Sequence, residues 1–436
     1  MPSTLIRFSL LVATLWLPSW SHAEDLLEVL AQARAADPLL ASAQAARGIQ
    51  QEVATQARAP LLPQWQLSAS AQRTQDGGSR SQQLDSSLSQ VLLDLGRLRT
   101  LDAERTLLSA QDARLRAAEQ DLCGRVARAY FGVLSAEAAL AAAQANEQAL
   151  AQQVQQAGSR FAAGLAAQVD VEQARAYHAL SRSGTVQAQQ ALADAREALA
   201  QITGHAPGAL KPLAADLPAL PPEPASASAW VAQALQAHPL LQAQALGLQA
   251  SQQRIAAAGA GHLPTLSLGL DSERRGGPAI ADGSRGRADS TLSLRVTLPL
   301  FAGGAVESQQ RQAAYQRDAQ RAALESDRRA LVRETQAQYE AVLAGVATMQ
   351  STRAAVDAAN LALASTRAGQ ALGTRTMTDL LLAIQTQTAA QNAFDQARHG
   401  YVLARLLLQQ AVGSLGEGEL GAVNRLLEDR RPAQAG

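Results

Sequence analysis

The chain of 436 residues is short of several things that enzymes and disulfide-rich secreted domains have. It has a single cysteine, Cys123, so no disulfide framework exists within it. Aromatic residues make up 3%, little for the core of a globular enzyme. Formal charge balances at zero, with 38 basic and 38 acidic residues, so no strongly basic surface argues for a nucleic-acid partner. Lys211 is the only lysine, and Arg carries almost all the positive charge. That bias suggests a GC-rich genome, which inflates alanine by itself. Beyond the N-terminus no stretch offers ~18 consecutive apolar residues, which argues against a helical inner-membrane protein.

Chemical motifs are missing too. No GxxxxGK[ST] loop occurs, so no nucleotide is expected as an energy source. No GxSxG turn supplies a nucleophile. The six histidines, at 22, 178, 205, 238, 262 and 399, form no HExxH or other ligand spacing. His178 and His399 fall in predicted helices, where surface or satisfied roles are expected. No catalytic residue, metal or cofactor is therefore expected, and Cys123 reads as a small buried helix residue.

What the chain does contain begins with an export signal. Residues 1–23 carry one cation, Arg7, then an apolar run from Phe8 to Leu17 and the small-residue end Ser21-His22-Ala23. Cleavage is expected after Ala23. The run is too short to span a bilayer as an anchor.

The mature chain repeats itself at a period of about two hundred residues. LAQARAADPLLASAQA (30–45) matches VAQALQAHPLLQAQAL (231–246), with Asp37-Pro38 opposite His238-Pro239. ARAPLLPQWQLS (57–68) matches AGAGHLPTLSLG (258–269), and LAQITGHAP (199–207) matches LQQAVGSLG (408–416). The expected organisation is a first repeat at 24–210, a Pro-rich linker at 211–228, a second repeat at 229–415 and a C-terminal segment at 416–436. Each repeat has one plan. A helix such as 24–58 is ended by Pro60 and Pro63. Two strands follow, then a very long helix, a break and a return helix.

The strands alternate with period two. In TLSLRVTLPL (291–300) the residues Leu292, Leu294, Val296, Leu298 and Leu300 share one face. TLSLGL (265–270) repeats the pattern, and 66–75 and 83–95 show weaker versions. Polar loops at 76–82 and 274–287 join each pair. Exported strands near ten residues long, aliphatic on one face and polar on the other, fit a transmembrane barrel with a wet lumen. Four strands cannot close such a barrel, so several chains must share one. The helices carry heptads: Leu101, Leu108, Leu115 and Leu122, then Val342, Met349, Val356 and Leu363. The Pro-free stretch from Gly96 to Phe161 would run about 96 Å if continuous.

Both long helices break with an Asp six residues after a Gly, at GLAAQVD (164–170) and GTRTMTD (373–379). Together with ADP (36–38), PLLPQ (60–64), AYFGVLSA (129–136), RFAAGLAAQVDVEQARA (160–176), QITG (201–204), GHLPTLSL (261–268), LPLFAGGAVESQ (298–309) and LGTRTMTDLL (372–381), these words resemble the TolC family of outer-membrane efflux and secretion channels. The likeness covers essentially the whole mature chain, in order.

The resemblance implies an α+β membrane protein. A homotrimer would share a 12-stranded barrel in the outer membrane, four strands from each chain, above a long periplasmic coiled-coil tunnel. Segments 205–228 and 413–436 would belt its middle, with the tail past Leu427 dispensable. It implies that the two breaks are turns at a periplasmic tip where the tunnel closes. Gly164, Leu165, Gly373 and Thr374 would meet a periplasmic adaptor protein, which joins an inner-membrane transporter. Asp170 would accept a hydrogen bond from Arg375 as a latch, with Gln370 standing where the family has a Tyr. Asp379 would line the constriction, but Leu382 stands where a second Asp is found, so cation binding should be weaker. Asp379 is alternatively a helix N-cap, with Thr378 as another candidate cap. The rival to a channel is an exported periplasmic coiled-coil structural or interaction protein, which leaves the strand alternation unexplained.

Overall fold

The computed structural model describes residues 23–73, 80–214, 216–276 and 288–428. All but Ala23 of the expected export signal at 1–23, most of the two polar strand loops and the last eight residues lie outside them. Two helices open the chain, α1 (Leu26–Ala36) and α2 (Pro38–Arg58). The first is started by Asp25, whose carboxylate accepts the amides of Leu27 and Glu28 at 3.0 and 2.9 Å. The single helix expected over 24–58 is thus two. Pro38 excludes helical geometry at the residue before it, and Asp37 is extended (ψ 117°) while capping Leu40 N at 3.1 Å. His238-Pro239 splits α5 (Ala227–Ala237) from α6 (Pro239–Gly259) in the same way.

Strands β1 (Gln64–Arg73), β2 (Arg80–Leu93), β3 (Thr265–Gly276) and β4 (Ala288–Thr297) form one antiparallel sheet in the order β1-β2-β3-β4. The β2–β3 pairing joins the two repeats. The strands sit two or three residues from where alternation alone puts three of them, and β3 runs six residues further than 265–270. Register keeps the aliphatic face continuous: Leu266 faces Val296, Leu268 faces Leu294 and Leu270 faces Leu292. Among the described residues nothing covers that face. Trp65 is 76% exposed, and Leu292, Leu294 and Val296 are 71%, 66% and 67% exposed.

The long helices are α3 (Leu95–Ala162) and α7 (Ala305–Ala371), of 68 and 67 residues, each about 100 Å long at 1.5 Å per residue. Each is unbroken, as the absence of proline permits. The return helices α4 (Gln168–Thr203) and α8 (Met377–Val412) lie against them, and α2 and α6 flank the ends nearest the sheet. The heptad residues Leu101, Leu122, Val342, Met349 and Leu363 are buried. An 18-residue window in α3 reaches a mean hydropathy of 1.3, so one helix is apolar enough to cross a membrane by length and composition, which the reading of consecutive apolar residues did not anticipate. It is a charge-poor part of a helix far longer than a bilayer is thick, and 33% of it is buried inside the chain.

The main core lies midway along the helices. Leu26, Val29, Leu122, Val126, Phe131, Val402, Leu406 and Leu420 bury together, closed by α9 (Glu417–Asn424). Cys123 is buried there, as expected, and burial pushes its thiol up. Two tyrosines hold the linker against this core. The Tyr130 hydroxyl donates to Lys211 O at 2.9 Å, and the Tyr401 hydroxyl donates to Leu220 O at 2.8 Å. Backbone bridges Glu24–Leu210 and Leu213–Leu427 pair the start of the linker with segments near both ends of the described chain.

Candidate functional site

Far from the main core a second, smaller one forms where the long helices end. It contains Leu150 and Ala157 of α3, Val171 and Ala174 of α4, Leu363 of α7, and Met377, Leu380, Leu381 and Ile384 of α8. Both helix breaks therefore sit at one end of the molecule, on a shared apolar plug.

Each break is a left-handed glycine turn followed by a carboxylate-capped helix start. Gly164 has φ 72°, and Leu165 N donates back to Arg160 O at 2.8 Å. Gly373 has φ 75°, and Thr374 N donates to Gly369 O at 2.8 Å. Only glycine takes this backbone without strain. The Asp six residues on is the third residue of the next helix. Asp170 accepts Ala167 N at 3.4 Å. Asp379 accepts Thr376 N at 2.9 Å, while the Thr376 hydroxyl accepts Asp379 N at 3.1 Å. The second break thus has a complete capping box, and the first, with Ala167 at the cap, has half of one. The spacing of Gly and Asp is the length of this stop-and-restart.

The N-cap of α8 is Thr376, which corrects both sequence candidates, Asp379 and Thr378. The chain is still extended at Thr376 (φ −84°, ψ 165°), so the helix begins at Met377 and Asp379 is its third residue. Two donors from Thr376, with Arg375 adding to them, hold the Asp379 carboxyl below the usual carboxylate range.

The other tip residues are placed as follows. Leu165 is 71% exposed, and Gly164, Gly373 and Thr374 are exposed beside it. Gln370 is buried at the end of α7. Leu382 is exposed and lies three residues after Asp379, on the same face of α8. Arg375 and Asp170 do not meet within one chain. Among the described residues Arg375 has no carboxylate in salt-bridge contact, and its Cγ lies 2.7 Å from where a Cβ on Gly369 would stand. The contact joining the two helix pairs here is one that sequence reasoning missed. The Thr378 hydroxyl donates to Gln173 Oε1 at 2.8 Å, from α8 to α4. The partners are 205 residues apart and do not correspond in the duplication, so no local pattern signals them. No group of three or more His, Cys, Asp or Glu suited to a metal ion occurs among the described residues.

The model of the family "Outer membrane efflux protein" matches residues 29–205 and 230–414, one segment in each repeat. The chain is 32% identical over 426 residues to the outer membrane protein TolC of Escherichia coli K12, covering 94% of this chain and 86% of that one. It is 27% identical to the proteases secretion protein PrtF of Dickeya chrysanthemi, covering 76% and 73%. Among solved structures, CusC superimposes with a TM-score of 0.79 at 19% identity, covering 89% of this chain and 92% of that one. VceC of Vibrio cholerae gives 0.77 at 21%, covering 89% and 96%. The fold is that of these outer-membrane proteins, with one four-stranded antiparallel sheet per chain at the end of long helices. The chain belongs to the outer membrane efflux protein family and is an outer-membrane channel of that family.

Proposed function

We propose that the chain is the exit duct of a tripartite efflux pump or type I secretion system, a passive conduit closed at the periplasmic tip and opened by partners. Three copies would share a 12-stranded barrel, and export would remove residues 1–23. The observation that carries this reading is the paired glycine turns seated on a separate apolar plug at the end of helices about 100 Å long. The uncovered aliphatic sheet face at the opposite end supports it, since a soluble coiled-coil protein has no reason to expose Leu292, Leu294 and Val296 together.

The tip would work as follows. Leu165 and Thr374 present exposed turns to a periplasmic adaptor, whose inner-membrane transporter supplies the energy. Asp170 of one copy accepts Arg375 of the next, since among the described residues neither makes a salt-bridge contact within its own chain. An exposed pair of this kind is worth about 0–1 kcal/mol, weak enough for a partner to break. Asp379 supplies one ring of three carboxylates at the constriction, and Leu382 makes the next ring apolar.

Paired cysteines test the arrangement. Asp170→Cys with Arg375→Cys should give covalent trimers in oxidised outer membranes, extractable only with detergent. The buried Cys123 gives little background. Protein released without detergent, or monomers only, would contradict the reading. Relatives in both efflux and secretion leave the transported substrate to the pump and adaptor.

A further inference from the structure

We propose that Thr378 and Gln173 form a latch within each chain, tying the α7/α8 pair to the α3/α4 pair at the closed tip. The inference rests on the reading of the tip as a gate, and it adds a contact to that gate. Among the described residues, the Thr378–Gln173 bond is the one side-chain hydrogen bond joining the two helix pairs around the apolar plug.

The chemistry of the surrounding groups singles it out. Polar groups beside the turns are committed to their own segments. Asp379 and Thr376 close the cap of α8 on each other. Asp170 accepts Ala167 N, and the Thr374 hydroxyl donates to Gly369 O at 3.0 Å within its own turn. Thr378 is in the first turn of α8 but is not needed for capping, because Thr376 already does that. Its hydroxyl is therefore available to another helix. Gln173 lies three residues after Asp170, between the buried Val171 and Ala174, so its side chain leaves α4 at the edge of the plug. Two facing helices are thus stitched across the rim of the small core they share.

The latch is neutral. Neither partner titrates between pH 4 and 9, and a neutral bond is little screened by salt, whereas an Arg–carboxylate contact weakens as ionic strength rises. The gate would then have two components of different physics: a charged contact between copies, and an uncharged one inside each copy. Where Gln370 replaces the expected aromatic ring, the chain keeps an internal tie through different residues on different helices.

Single-channel recordings of the purified full-length channel test this, at about 0.1 M and about 1 M KCl. Thr378→Val keeps the shape and removes the hydroxyl; Gln173→Met keeps the length and removes the acceptor. Each should raise open probability about fivefold per bond lost, the equilibrium effect of one neutral hydrogen bond. The rise should be the same at both salt concentrations. Thr378→Ser should restore the wild-type value, and the double variant should be no leakier than either single one. Open probability unchanged in Thr378→Val and Gln173→Met, while Arg375→Ser raises it, would overturn the latch and leave the channel reading standing. Thr378→Ser as leaky as Thr378→Val would overturn it as well. Wild-type protein that never conducts would overturn the channel reading itself, and the latch with it.

Discussion

Arg125 reaches from α3 to both carboxylate oxygens of Asp37, at 3.1 and 2.5 Å, and so fixes the corner between α1 and α2. The Asp37 side chain is 2% exposed, and Arg125 also holds Asp121 at 2.8 Å. Hydrogen bonds from Arg125, chiefly, hold the Asp37 carboxyl below its ordinary range. Arg125→Met leaves that carboxylate buried without its partner and should cost about 3 kcal/mol per chain, read as a lower melting temperature of the purified protein. The pair's stabilisation should be present above the unfolded carboxylate pKa of about 3.9 and fade as pH falls through the lower folded value.

His399 adds a second acid sensitivity in a different window. It is buried between α8 and α3, with Nδ1 2.9 Å from the Ser135 hydroxyl and its ring 6.2 Å from Phe131. Burial first, then the neighbouring Arg398, pushes its pKa down to about 4, while Asp395 opposes the shift. The unfolded chain binds a proton near pH 6.5 and the folded chain does not, so stability should fall as pH drops from 6.5 towards 4. The full loss is on the order of 3 kcal/mol per chain. His399→Phe should flatten the melting temperature between pH 7 and 5, and an unchanged slope would contradict this account.

The capping box predicts a local effect. Thr376→Ala removes the hydroxyl that accepts the Asp379 amide and leaves only half of the box, the backbone N–H of residue 376 still donating to the Asp379 carboxylate, at about 1 kcal/mol per chain. Hydrogen exchange should quicken over the first turns of α8 while the main core, about 35–60 Å of helix away, stays protected.

The constriction carries a single carboxylate ring in this account. Block by a trivalent cation should be weak in the wild type, vanish in Asp379→Asn, and strengthen on the order of tenfold in Leu382→Asp. Half-blocking concentrations in a planar bilayer decide it.

Much of this was legible in the sequence because the signals were physical and local. Strict alternation at 265–270 and 291–297 marked the aliphatic face that the register displays, while Leu298 and Leu300 fall beyond the end of β4, and freedom from proline allowed the unbroken long helices. The Gly-to-Asp interval pointed to both turns. Boundaries were less legible, since ladder bonds extend β3 through Asp271–Gly276, past its aliphatic residues. The splitting of 24–58 lay in Asp37-Pro38, a word read for its repetition rather than for its backbone. Thr378–Gln173 carried no signal, because a contact across 205 residues between dissimilar positions leaves no mark on either neighbourhood.

The central claim is a conduit held shut at its tip, and single-channel conductance of the purified mature protein tests it most directly. Wild-type protein should show low, flickering conductance that rises clearly in Arg375→Ser. Folded protein with no conductance in either form would contradict the channel, and a high conductance unmoved by the substitution would contradict its gate.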